Sequence, residues 1–419
     1  MAFAGFVGVM AVRGGPGFAD AVALTRPTTA VAHGHWREAA VVNYLPQPLG
    51  YPLLASPFVA ALGPVVGSGT WCTDSPALPQ LKIVRDVWPP CSGPNVFDAP
   101  PKPPWYRSQG VLGLLAWALL AFGAVQLLRA AGAGRGLGEV ALVGGLVAVP
   151  AASDGLVEAF HPQDLVCVGL VLCGLAFGLR RRWVAAGAVF GVAFVCKQFA
   201  LLALVAALAA APGWRARARL AGSAVGVAAV AILPFAVVAP AATYHSLVAV
   251  AHFSSSEITS TVVGMTSWDE FTKLAVARDG PVVLALVLAA GAWWRARERL
   301  LEPVPLLGLA VACLGARLVF EVVNTSYYLL AVSVLLVTLD VAARRVPYRS
   351  VAWIAVMRWW VNPLGGHQPS WGAAAVFAGG AVIAVVLGLA EIPRRSRPAP
   401  APASPTTRRS SSALPAVPG

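Results

Sequence analysis

The sequence predicts an all-α, polytopic integral membrane protein of about ten transmembrane segments, and three observations predict it. Hydrophobic residues make up 58% of the 419 and charged residues only 12%, with a mean hydropathy of +0.72. Soluble domains carry roughly a quarter charged residues. Apolar runs at 111–128, 165–179, 220–239, 281–294 and 371–390 recur between short polar stretches, and about 20 apolar residues cross the hydrocarbon as helix. The runs are continuously apolar, whereas a membrane barrel alternates apolar and polar residues. Helices also satisfy their own backbone groups, as the hydrocarbon requires.

The formal charge of +13 could point to nucleic acid, but its distribution argues against that partner. Arginines gather in short loops: Arg180–Arg182, Arg215–Arg219, Arg295–Arg299, Arg344–Arg349 and Arg394–Arg397. Alternate loops such as 152–164 lack the bias. This is the positive-inside pattern, which places the arginine loops in the cytoplasm of a multi-pass bacterial plasma-membrane protein.

In chain order, Met1–Val12 is apolar but too short to span, and no basic region precedes it as in a signal peptide. It is read as a short or truncated first helix. Residues 13–109 form a Pro-rich extracytoplasmic loop, within which 53–67 is a short interfacial or re-entrant helix. Cys72 and Cys91 flank part of this loop. On an oxidising side they could form a disulfide worth roughly 3 kcal/mol, the alternative being two free thiols. The transmembrane domain covers 110–391, with 110–129 running inward, 139–152 outward and 164–180 inward. Residues 183–211 lie between two arginine flanks that both read as cytoplasmic, so either they form a hairpin of two short helices with Lys197 and Gln198 near its outer tip, or one flank breaks the charge rule. Beyond it, 220–240 goes out, 241–280 is an external loop, 281–294 comes in, 303–320 goes out, 326–343 comes in, 350–362 goes out and 371–391 comes in. The basic tail 392–419 has the composition of a disordered cytoplasmic segment.

Ionisable groups at membrane depth are costly and mark functional sites. Four places qualify, and this topology puts all of them on the outer side: Asp20, the stretch 154–164 with Glu158 and His161, Lys197-Gln198, and Arg317 with Glu321. Each has a plainer reading. Asp20 could be a solvated loop carboxylate, Lys197 a snorkelling lysine, and His161 a loop histidine before a helix with Pro162 in its first turn. Arg317 could pair with Glu321 one turn on. Asp164 reads as a first-turn carboxylate favoured by the helix dipole, and Tyr327-Tyr328 and Trp105-Tyr106 as interfacial aromatic belts. No outer loop holds an Asp-x-Asp pair and no His/Cys cluster has zinc-like spacing, so no metal is expected and no cofactor is evident.

The run His161-Pro162-Gln163-Asp164, the stretch Ala185–Gly191 and Lys197-Gln198 resemble actinobacterial membrane glycosyltransferases of the GT-C superfamily. The closest likeness is to glycosyltransferase family 87, the polyprenyl-phosphate-mannose-dependent mannosyltransferases. Arg317 with Tyr327-Tyr328 and Asp340 looks like a second signature of this group. Asp20, His33-Gly34 and Pro48–Pro52 look like an N-terminal one. The resemblance covers about 20–343 and departs at Gln163, where an acidic residue is common, and in the short first helix.

The resemblance implies transfer of a sugar, mannose, from a polyprenyl-phosphate donor to a lipid or glycan acceptor on the outer membrane face, with inversion. Asp20 stands where the family places its general base, and Lys197, His161 and Arg317 stand where cations would meet the donor phosphate. Glu158, Gln198, Tyr327 and Tyr328 would support them. A transporter or lipid flippase lined by the same groups is the alternative, opposed by the missing internal repeat and by the long one-sided segment 13–109.

Overall fold

The computed structural model describes residues 24, 27–41, 49–62, 103–133, 151–152, 156, 161–248, 261–297, 299–321, 326–361 and 371–393. Asp20, Glu158, the Cys72–Cys91 pair and the tail beyond 393, all singled out in the sequence, lie outside these residues.

Every regular element among the described residues is helical. In chain order they are α1 (Trp36–Val41), α2 (Gly50–Leu62), α3 (Pro103–Ala130), α4 (Pro162–Leu179), α5 (Trp183–Cys196), α6 (Ala200–Ala210) and α7 (Gly213–Val238). They continue with α8 (Pro240–Val248), α9 (Val262–Met265), α10 (Glu270–Ala296), α11 (Pro303–Phe320), α12 (Leu330–Ala342), α13 (Tyr348–Val361) and α14 (Trp371–Ala390). A 3-10 turn, Ser326–Leu329, leads into α12. Six described helices are long and apolar enough to cross a membrane, and α5, α6 and the 327–342 stretch are shorter apolar helices. The protein is an all-α, polytopic membrane protein. The centre is built from α4, α11 and α12, whose side chains are buried on nearly every face. Around them α7 and α10 leave Val225, Val230, Val237, Val283 and Val287 exposed, as a lipid-facing surface should.

Close helix contact rests on small residues, because in lipid the association of helices depends on packing and not on escape from water. A Cβ on Gly123 of α3 would lie 2.3 Å from the Gly169 carbonyl of α4, so only glycine permits this approach. Further along, the Arg180 guanidinium donates to the Gln126 side chain at 3.0 Å. The two helices therefore run parallel, the relation expected of the inward segments 110–129 and 164–180.

The hairpin at 183–211 is present. Gly187 packs against Leu220 and Ser223, and Gly191 against Ala224 and Val227, so α5 and α7 are parallel. Arg217 near the start of α7 donates to the Leu208 carbonyl at the end of α6, so α6 runs back beside them. With 14 and 11 residues, the two arms rise about 21 and 17 Å, well short of the roughly 30 Å hydrocarbon core. Helix α2 packs on the tip, with Gly50 against Val195.

One element begins earlier than predicted. Instead of an open loop to 280, the chain forms α8 and the single turn α9, and then α10 from Glu270. Asp269 sets that start by accepting from the Thr272 N–H at 3.0 Å, a strong N-cap that outweighs the missing N–H of Pro281 inside the helix.

The described arginine turns gather at one end of the bundle. Arg181 and Arg344 hold left-handed φ values of 58° and 55°. In each turn the next residue's N–H reaches back to close the helix end, Arg182 to the Phe177 carbonyl and Arg345 to the Asp340 carbonyl, both at 2.9 Å. At this end Asp340 and Ser350 are fully buried. Asp340 accepts from Arg349 and Ser350, while Glu391 accepts from Arg345 and Arg349, tying α12, α13 and α14 together. Burial alone would raise the Glu391 carboxyl, but the hydrogen bonds from Arg345 and Arg349 outweigh it and hold it below the ordinary carboxylate range. A depressed folded pKa gives stability that is complete above the unfolded value, roughly 4.3, and is lost as pH falls through the folded one. Glu391→Gln should therefore lower the thermal midpoint at neutral pH. Midpoints recorded across an acid titration should show the gap to wild type closing.

Candidate active site

At the opposite end of the bundle the chain breaks between α5 and α6. Lys197 leaves the helix in an extended conformation (φ −155°, ψ 131°), its N–H still bonded to the Ala193 carbonyl at 2.9 Å. The break is held from outside. Gln198 Nε2 donates to the Leu247 carbonyl at 2.7 Å, at the end of α8, so Gln198 anchors the tip. Lys197 is left to face the start of α4.

There Asp164 is 3% exposed, and its Oδ1 lies 3.8 Å from Lys197 Nζ. Its Oδ2 is 3.4 Å from His161 Nδ1, and His161 also meets Gln163 Nε2 at 2.8 Å. The sequence reading of Asp164 as a helix-dipole carboxylate is incomplete, because it also stands between a half-buried lysine and a buried histidine. The signal was available: a carboxylate in an apolar segment is itself an ionisable group at membrane depth. Gln163, the departure noted above, is fully buried and meets the imidazole as a neutral amide.

From His161 the contacts continue through aromatic rings. The imidazole stacks on Tyr327 with centroids 4.2 Å apart and planes at 18°, and Tyr327 meets Tyr328 edge-on at 4.8 Å. The Arg317 guanidinium lies 4.5 Å over the Tyr328 ring and 4.9 Å over Phe199, and Phe199 is two residues from Lys197. Arg317 also makes the expected pair with Glu321 at 2.9 Å. Tyr327 and Tyr328 are thus half-buried members of the cluster and not an interfacial belt. Phe199 was missed because an apolar ring inside an apolar run carries no signal.

Lys197, Asp164, His161, Tyr327, Tyr328, Arg317 and Phe199 form a ring drawn from three separate stretches of chain. Counting Glu321 on Arg317, two cations and two carboxylates balance here, with a histidine beside them. The Lys197 side chain is 18% exposed, and its ammonium donates no hydrogen bond among the described residues. Such a group has three donors to spend in a place where leaving them unspent is costly.

Glu38 stands apart from this ring. It is half exposed and pairs with His35 at 3.4 Å, just past the turn at Gly34, whose φ of +76° suits glycine.

A bundle of lipid-facing helices around a buried, cation-bearing end defines a polytopic membrane protein with a polar site at membrane depth. The chain belongs to glycosyltransferase family 87, whose sequence profile matches residues 103–320, just over half its length. It is therefore a membrane glycosyltransferase, which decides between the enzyme and transporter expectations. The matched stretch holds His161, Asp164, Lys197 and Arg317; Asp20, Glu321 and the two tyrosines lie outside it. No curated protein and no solved structure matches the chain.

Removing the Asp164 charge should leave the half-buried Lys197 ammonium without its counter-charge, and breaking a fully buried ion pair costs about 3–5 kcal/mol, an upper bound for this one. Asp164→Asn is expected to lower the thermal midpoint sharply. Adding Lys197→Gln should restore part of the loss, a non-additivity that a double-mutant cycle reads directly.

Proposed function

We propose that this glycosyltransferase moves a sugar, mannose, from a polyprenyl-phosphate donor to a lipid or glycan acceptor at the outer face of the plasma membrane, with inversion at the anomeric carbon. The observation that carries the reading is the half-buried ammonium of Lys197, which donates no hydrogen bond among the described residues, beside Arg317 and His161 at the end of the bundle away from the arginine turns. A phosphodiester would offer it acceptor oxygens at closer range than the 3.8 Å of Asp164 Oδ1. Its lipid tail would lie among the apolar faces of the bundle. Nucleotide sugars are not supplied outside the cytoplasm, so a lipid-linked donor suits a site on that side.

In the reaction, the acceptor oxygen forms a bond to the anomeric carbon as the bond from that carbon to the phosphate oxygen breaks. The electron pair of the broken bond leaves on polyprenyl phosphate, where Lys197 and Arg317 would stabilise the growing charge, with His161 beside them. The acceptor's proton passes to a carboxylate on the opposite face of the sugar, a role we give to Asp20. Asp164 keeps Lys197 and His161 in place, and the Tyr327–Tyr328 pair offers ring faces beside them.

The test is incubation of membranes containing the protein with labelled lipid-linked mannose. Label should pass to an endogenous glycolipid or glycan, and a protein that accepts only nucleotide-linked sugar would refute the donor. Sidedness has its own check. In a protein without native cysteines, Ser267→Cys, exposed just before α10, should react with an impermeant thiol reagent added outside intact cells. Arg215→Cys, exposed among the arginine turns, should react only after lysis; the reverse pattern would invert the topology.

A further inference from the structure

We infer a second binding site, for the headgroup of an anionic phospholipid, at the arginine-rich ends of α7 and α10. The short arm α6 packs against α10 and touches α7, and both long helices carry exposed apolar side chains, Val225 and Val230 on α7 and Val283 and Val287 on α10. At this end Trp293 carries two guanidiniums, Arg217 at 5.6 Å and Arg297 at 5.2 Å from the ring centroid, so a single indole brings the ends of two separate helices together. Arg217 spends its Nε on the Leu208 carbonyl at 3.1 Å. Its terminal NH2 groups, and all the N–H groups of Arg297, donate to nothing among the described residues, and no described carboxylate pairs with either arginine.

The placement of the charge gives a second, independent argument. Arg215, Arg217 and Arg219 occupy the first two turns of α7, whose first turn contains no acidic residue. Three cations at the positive pole of a helix repel its dipole. An anion between Arg217 and Arg297 would relieve that repulsion and accept hydrogen bonds from the guanidinium N–H groups, a geometry that suits the oxygens of a phosphate. The exposed apolar faces of α7 and α10 supply what inorganic phosphate does not use, a path for acyl chains. Basic pockets between transmembrane helices bind anionic headgroups in this way. This site is at the other end of α6 from Lys197 and does not depend on the donor chemistry proposed above.

The test uses the purified full-length chain in phosphatidylcholine vesicles carrying a trace of spin-labelled phosphatidylglycerol or spin-labelled phosphatidylcholine. The wild-type protein should immobilise the anionic probe with about thirtyfold preference, the scale expected of two arginines. Arg217→Gln/Arg297→Gln should lose that preference. Arg181→Gln/Arg182→Gln, which removes the same charge from another turn at this end, should keep it. Trp293→Leu retains both charges without the ring that gathers them, so it should lose most of the preference. Equal losses from the two arginine pairs, or full preference in Trp293→Leu, would show only diffuse attraction to a basic surface and overturn the site. Displacement of the probe by millimolar inorganic phosphate would likewise overturn it as a lipid site. Monodisperse elution and unchanged helical circular dichroism qualify each variant for the comparison.

Discussion

Asp20→Asn is expected to fold, bind the lipid-linked donor as wild type does, and transfer sugar about 10²–10⁴ times more slowly, the range that general-base catalysis contributes. The amide keeps the shape and polarity of the carboxylate but cannot take the acceptor's proton. The loss should therefore appear in kcat, with donor affinity unchanged. Asp20→Glu should recover little activity, because an added methylene moves the carboxylate by about 1 Å and alignment at that scale governs rate. Single-turnover transfer from labelled donor measures both variants. A near wild-type rate in Asp20→Asn would move the base elsewhere, and the same amide swap at Asp154, Glu158, Glu38 and Asp164 would locate it. Glu38 is the weakest of these alternatives, because its carboxylate is half exposed and turned to His35.

The second large effect belongs to Lys197. A charged hydrogen bond to phosphate contributes roughly 1.5–3 kcal/mol, so Lys197→Ala should weaken donor binding by about tenfold or more. Lys197→Arg keeps the cation and should weaken it less. Equilibrium binding of labelled donor to purified protein separates the two. Stability should also move in a telling direction, because Asp164 loses its counter-charge in the alanine variant and keeps it in the arginine variant. A lysine that only snorkelled towards water would leave donor affinity untouched in both. Unchanged affinity in a folded Lys197→Ala protein would rule out the phosphate role.

How far this protein can be read without its structure is clearest at the hairpin. Arginine on both flanks of 183–211 pointed either to a hairpin or to a flank that breaks the charge rule, and the length of the segment to short arms; the structure shows the hairpin, with two short arms and a break at Lys197. The start of α10 was misplaced by eleven residues because the segment was placed by its apolar run at 281–294, whereas the N-cap at Asp269 is a local signal that such a run does not show. The Arg317–Glu321 pair was legible because a spacing of four residues on a helix fixes the neighbour. The partners of Asp164 were not, since Lys197 lies 33 residues further along the chain and only the fold brings them within 3.8 Å.

By itself, the sequence determined the membrane class, the helical content, the end of the bundle to which the arginine turns belong and the few ionisable groups placed at depth. These follow from composition and periodicity, which act through the cost of taking charge and bare backbone into hydrocarbon. Only the tertiary structure decided which of those groups meet. It closed His161, Tyr327, Tyr328, Arg317 and Lys197 into one ring through Asp164 and Phe199, and it set Arg217 and Arg297 on a single indole 5.6 and 5.2 Å away. The reason is physical: a charge buried in hydrocarbon must find a partner, but the sequence records only that it needs one. Which partner it finds depends on helix packing, and that packing is set by glycine contacts and hairpin lengths far from the charges themselves.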